Sequence, residues 1–191
     1  MKRPLLSLKG QAMALLARRE HSRAELRTKL LAHVRKMEAV AAEAARQASS
    51  MEDPLAAFLR PDLPAPVADD GDAEHDRAAA AALVDEALDW LESKKYLSDT
   101  RFVEARVATR APRFGQARIK HELGRLGVTM DADTAQNLRD TELQRAREVF
   151  LKRFQAPAED PAGRAKQMRF LASRGFGADT VRRVIGGRDD D

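Results

Sequence analysis

The chain has 191 residues, of which 43% are hydrophobic and 34% charged, with a formal net charge of +4. That is too apolar for a chain disordered throughout, and long enough for one to three small domains with a buried core. It contains no cysteine, which excludes disulfide and thiol chemistry and suits a reducing cytoplasm, and no apolar run long enough for a membrane span.

Alanine, leucine, arginine and glutamate abound, and no run of alternating β-branched and aromatic residues suggests a sheet, so an all-α fold is predicted. The basic start, Lys2 and Arg3, precedes an apolar run that Lys9 interrupts too soon for a signal peptide. Ala12, Leu15 and Leu16 open a first helical stripe. Ser22 and Glu25 have the spacing of a capping box, and Leu26, Leu30, Leu31 and Val34 follow at helical intervals. Residues 39–48 can extend that second helix. Beyond them, Pro54, Pro61, Pro64 and Pro66 and the run Asp69-Asp70-Gly71-Asp72 predict a flexible acidic linker over 37–80, with a short helix around 55–59. A stripe of Leu83, Val84, Ala87, Leu88 and Leu91 marks the next helix, with Trp90 read as core. Ser98 or Asp99 caps a helix carrying Phe102, Val103 and Val107. Residues 112–115 break it. Ile119, Leu123 and Leu126 share a face of the helix that follows, and Gly127 is its expected left-handed cap. A short helix from Thr129, then helices over 146–154 and 165–173 and one holding Val181, Val184 and Ile185, complete the chain. Residues 189–191 read as a frayed tail.

Charge is segregated rather than scattered. Residues 1–36 carry ten Lys/Arg against two Asp/Glu, residues 37–80 three against ten, and residues 101–127 seven against two. Two basic segments around an acidic one suit phosphate or an acidic protein face. The strongest interaction candidates are Arg101, Arg106, Arg110, Arg113, Arg118, Lys120 and Arg125, beside the corner Phe114-Gly115, read as flexible. Arg106, Arg110 and Arg113 share a face if the helix continues through Pro112. The alternative is a salt-bridged surface, for which Glu104 and Glu122 are the local carboxylates.

One pattern recurs three times. Leu16, Leu91 and Leu171 are each followed by a basic residue three positions on, then by a ring at His21, Tyr96 or Phe176, then by a small or capping residue and a further apolar anchor. The middle copy has one extra residue, Leu97. The reading is a repeated helix–turn–helix with the ring filling each corner, units that bury their apolar faces by stacking. A DNA-reading helix-turn-helix is the rival. The helices after Ser22 and Ser98 offer arginines for phosphates but no clear set for base edges.

Chemistry finds little support. No phosphate-binding glycine loop is present. His21, His33, His75 and His121 lack metal spacing, and His75 among Asp72, Glu74 and Asp76 reads as a solvated acidic run. No nucleophile–base set stands out. Neither an enzyme, nor a cofactor, nor a metal site is expected.

Four stretches carry a family resemblance. Residues 15–27, with Arg18, Arg19, His21, Ser22, Glu25 and Leu26, resemble an "LL-x-R-R-x-HS-x-x-EL" run. Tyr96-Leu97-Ser98-Asp99-Thr100-Arg101-Phe102 is similar to "GYL-D-D-x-RF". Residues 115–123 with Gly127-Val128 are similar to "G-x-x-RI-x-x-EL-x-x-KGI", and 170–176 to "FL-x-x-RGF". In order and spacing these resemble the RecX family, regulators of the RecA recombinase. The resemblance implies tandem three-helix repeats in an elongated arrangement: a partial first repeat at 1–36, the linker at 37–80, a second repeat at 81–139 and a third at 140–188. It also implies a cytoplasmic regulator in recombination, DNA repair and the SOS response. Such a protein lodges in the RecA filament on single-stranded DNA and restrains its ATPase, strand-exchange and co-protease activities. The alternative is a nonspecific DNA-binding helical protein without a recombinase partner. Lys95 departs from the family's glycine, and the 37–80 stretch is longer than usual.

Overall fold

The structure, a computed structural model, describes residues 6–50 and 70–186, and its regular elements there are all helices. They are α1 (Leu8–Leu16), α2 (Arg23–Ser50), α3 (Asp70–Ser93), α4 (Asp99–Arg110), α5 (Gln116–Arg125), α6 (Ala132–Asp140), α7 (Glu142–Leu151), α8 (Pro161–Ser173) and α9 (Ala178–Gly186). The chain divides into two compact units, residues 1–97 and 98–191.

In the first unit, Ala12 of α1, Leu26 and Leu30 of α2, and Val84, Leu88 and Leu91 of α3 form one buried core, closed by Leu97. Ser7 caps α1, its side chain accepting from Gly10 N–H, and Ser22 caps α2 by accepting from Glu25 N–H at 3.1 Å. Arg27 reaches Asp85 at 2.7 Å, and Arg23 holds both Asp89 and Glu92. The stretch 37–80, predicted as a flexible linker, is helical at both of its described ends. Residues 37–50 continue α2 and 70–80 begin α3, because alanine-rich sequence propagates a helix despite its acidic charge. The stretch 51–69, including the short helix predicted near 55–59, and the tail 189–191 lie outside the described residues. Helix α3 was assigned from sequence to the second repeat. It packs instead with α1 and α2, since an apolar stripe declares that it needs a partner, not which one.

The second unit holds two further three-helix groups. Phe102, Val103, Ile119, Leu123, Val128 and Leu138 form the core of α4, α5 and α6. Ala146, Val149, Phe150, Leu171, Phe176, Val181, Val184 and Ile185 form that of α7, α8 and α9. Ser98, Asp131 and Asp160 cap α4, α6 and α8 through their side chains. Helix α6 starts at Ala132, three residues after the predicted start, because Asp131 supplies the cap. Helix α8 starts at Pro161, four residues before the predicted start. Proline suits a first helical position, where its missing N–H is not needed.

Three helices end in one motif. After α3, α5 and α8 a left-handed residue, Lys95 (φ 60), Gly127 (φ 75) or Gly175 (φ 82), donates three residues back. The next residue, Tyr96, Val128 or Phe176, donates to Leu91, Leu123 or Leu171. The copy at Leu123 was not recognised in the sequence because its corner residue is valine, not a ring. His21, Val128 and Phe176 are buried corner residues, but Tyr96 is 47% exposed. The extra residue explains this: Leu97, at 3% exposure, takes the core position and leaves the ring outside. Tyr96 therefore does not fill its corner as expected.

Candidate functional site

The second unit carries a cleft of about 640 Å³ lined by Arg106 and Arg110 of α4, Arg118, His121, Glu122 and Arg125 of α5, Leu126, and Ala172, Ser173 and Gly175 at the end of α8. Helical phase selects these side chains. Ile119 and Leu123 turn into the core, so residues 118, 121, 122 and 125 share the opposite face. Helix α4 ends at Arg110, so Arg106 and Arg110 stay one turn apart on a common face while Arg113 leaves it. Of the seven basic candidates, the structure brings together Arg106, Arg110, Arg118 and Arg125. Arg101, Arg113 and Lys120 do not line the cleft. His121 and the α8 wall were missed; the phase of α5 could have found His121.

Four guanidinium groups face one carboxylate. Glu122 accepts from Arg106 and, at 2.9 Å, from Arg110. Burial opposes ionisation of Glu122, but hydrogen bonding from Arg110 and the nearby charges of Arg106 and Arg110 hold its carboxyl below the usual range. Arg118 donates to the carbonyl of Ser173 at 3.0 Å and lies 4.5 Å from the centre of the Phe114 ring, with Arg110 5.5 Å from the same centre. Within the cleft the salt-bridged alternative thus holds for Arg106 and Arg110, and four guanidinium groups against one carboxylate leave a surplus of positive charge.

The α8 wall reaches the cleft through a backbone joint. Gly115 N–H donates to Arg174 C=O at 3.0 Å, and a Cβ on Gly115 would stand 2.1 Å from the Gly175 oxygen. Around this contact, Glu142 accepts from Gln116 N–H at 2.9 Å and from the Thr180 hydroxyl at 3.1 Å. Arg145 donates to the carbonyls of Ala111, Phe114 and Leu138. Phe114-Gly115, read from sequence as flexible, is a fixed corner because helix ends with spare N–H and C=O groups find side-chain partners there.

The first unit holds a second polar cluster. Nε2 of buried His21 accepts from Lys29 at 2.9 Å while Nδ1 donates to Arg19 C=O. Burial lowers the His21 pKa, keeping the ring neutral. Burial also acts against ionisation of Glu25, yet hydrogen bonds from Arg19 and Lys29 bring its pKa down to about 2. Among the described residues, no group of three or more His, Asp or Glu side chains could hold a metal ion. No helix among them is long and apolar enough to cross a membrane.

Fold and site together define an all-α protein of successive three-helix groups bearing an arginine-lined cleft. Residues 140–185, spanning α7 to α9, match the family model described as the third three-helix domain of RecX. The chain is 36% identical over 187 residues to the regulatory protein RecX of Ralstonia pickettii, covering 97% of this chain and 90% of that protein. It is 38% identical to that of Leptothrix cholodnii and 33% identical to that of Pseudomonas entomophila, covering 96% of this chain in both cases and 90% and 93% of those proteins. The chain belongs to the RecX family.

Proposed function

We propose that this chain is a non-catalytic, cytoplasmic regulator that binds a RecA filament on single-stranded DNA and restrains its ATPase, strand exchange and co-protease activity. Its three-helix groups act as the repeats that follow the filament. The description of its relatives as regulatory proteins supports regulation over catalysis. The observation that carries the reading is the cleft, where four arginines meet one carboxylate. A filament offers both phosphate and acidic protein surface to such a charge surplus.

The test is recombinase ATPase on single-stranded DNA, with and without this protein. The informative variants are Arg118→Glu and Arg125→Glu. Reversing Arg106 or Arg110 would set a new carboxylate beside Glu122 and confound binding with stability. Inhibition by the wild type that falls at least tenfold in potency in the double variant, with unchanged circular dichroism, supports the reading. Inhibition that survives the double variant removes the cleft from the mechanism. The same charge surplus suits a DNA-binding protein without a recombinase partner. A pull-down with purified RecA lacking DNA separates the two: capture favours the regulator, and no capture by a chain that still binds single-stranded DNA alone favours the alternative.

A further inference from the structure

The chain's single tryptophan and single tyrosine lie together at the end of α3. The ring centres of Trp90 and Tyr96 are 6.0 Å apart and tilted at 38°. Trp90 is half-buried against the first unit's core, and Lys9 Nζ sits 4.9 Å from its ring centre. Tyr96 is the outward member of the pair. Lys94 and Lys95 are exposed and precede Tyr96 in sequence. Asp89 and Glu92 of the same helix are held by Arg23.

Lys95 adds a second observation. It is the one non-glycine residue with positive φ among the described residues, in a position that glycine fills in the other two corners of this kind. A left-handed lysine is disfavoured because its Cβ crowds the following carbonyl oxygen. Such strain concentrates at functional positions, where the side chain is worth keeping. The extra residue Leu97 frees the ring from the core, and the lysine adds charge beside it.

We propose that Tyr96, backed by Trp90 and flanked by Lys9, Lys94 and Lys95, is a stacking platform for single-stranded nucleic acid. A base lies on the Tyr96 ring and the neighbouring phosphates meet the ammonium groups. Every base has a π-face, so an exposed ring beside cations takes single strands without regard to sequence. A duplex, whose bases are already stacked, gains nothing from the ring. The platform lies in the first unit and goes beyond the arginine cleft. Its test contains no recombinase, so its outcome is separate from that of the filament reading.

The full chain is titrated with an oligo-dT of about ten nucleotides, a length within the usual site sizes for such surfaces, and with an abasic oligomer of equal length and charge. Trp90 emission reports binding without a label. The wild type should prefer oligo-dT roughly tenfold, with quenching, since one stacked base is worth that much or more. Tyr96→Ala should erase the preference and leave affinity for the abasic oligomer unchanged, while Tyr96→Phe keeps both. Three results would overturn the proposal: equal wild-type affinity for the two oligomers, a preference that survives Tyr96→Ala, or its loss in Tyr96→Phe, which would assign the effect to the phenol hydroxyl. Competition by poly-Glu as strong as that by oligo-dT would also overturn it, in favour of a protein-docking surface.

Discussion

At the end of α8, Gly175 turns left-handed and Phe176 enters the core at 5% exposure. At the end of α3, Lys95 turns the same way and Tyr96 remains 47% exposed. The two corners share their backbone hydrogen bonds, an apolar anchor and a ring at the same offset. They differ by one inserted residue and one glycine. One corner therefore uses its ring for stability, and the other presents it on the surface. A repeat conserves the geometry of its backbone more strictly than the role of each side chain.

The largest expected effect tests that division directly. Phe176→Ala removes a ring packed among Leu171, Val181 and Ile185 and should cost about 3–5 kcal/mol. Tyr96→Ala removes a ring that is half outside and should cost about 1 kcal/mol or less. Urea unfolding followed by circular dichroism measures both, and similar losses would mean that Tyr96 supports its core after all. Next in size is the glycine itself. Gly175→Ala places a Cβ 2.5 Å from the Arg118 Cβ in a left-handed backbone, and should cost about 2–4 kcal/mol. It should also weaken polyanion binding at the cleft, because Arg118 and the α8 wall move with it. Retained stability together with retained binding would show that the joint tolerates separation.

The first corner sharpens the comparison through pH, because His21 stands where Phe176 does. Its folded pKa is lowered, so its unfolded form binds protons more readily. The stability it contributes is complete above about pH 6.5 and declines as the pH falls below that value. Glu25 contributes above its unfolded pKa of 4.5, and that contribution fades as the pH drops towards about 2. The Glu25 step is worth at most about 3 kcal/mol. Urea midpoints at pH 7.5, 5 and 3, read from Trp90 emission for the first unit, should fall in two stages. Glu25→Gln should flatten the lower stage, and an unchanged profile in that variant would remove the cluster from acid sensitivity.

The elements whose signals are local could be read from the sequence. The Ser22 cap, the Gly127 turn, the inward Ile119 and Leu123, and the corner of Leu171 with Phe176 each follow from residues within a few positions of one another. The features that escaped depend on distant partners. Nothing around residue 83 says that α3 packs on α1 and α2. Nothing near Phe114-Gly115 says that the Gly175 carbonyl closes on it. Helical phase pairs Arg106 with Arg110, but it pairs Arg113 with them only if the helix continues, and α4 ends at Arg110. Lys120 joins the candidates when charge is counted along the chain rather than around the helix. The outward Tyr96 lay in plain sight as the inserted Leu97, but one extra residue has two solutions: the ring or the leucine can take the core.

Lys95→Gly tests the smallest effect and the most specific one. Glycine relieves about 1–2 kcal/mol of left-handed strain and loses about 0.5–1 kcal/mol through its freer unfolded chain, a net gain of about 0.5–1 kcal/mol. The variant would thereby make the α3 corner match the α8 corner in backbone chemistry while leaving Tyr96 outside, since Leu97 still holds the core. A more stable protein that binds oligo-dT severalfold more weakly would show that the first unit keeps a strained residue for its ammonium group, a common exchange of stability for function. If stability rises and binding is unchanged, Lys95 serves no purpose on this surface, and the platform reduces to Tyr96 with Lys9 and Lys94. Paired urea and fluorescence titrations on the one variant decide between them, because the backbone effect and the charge effect act on different observables.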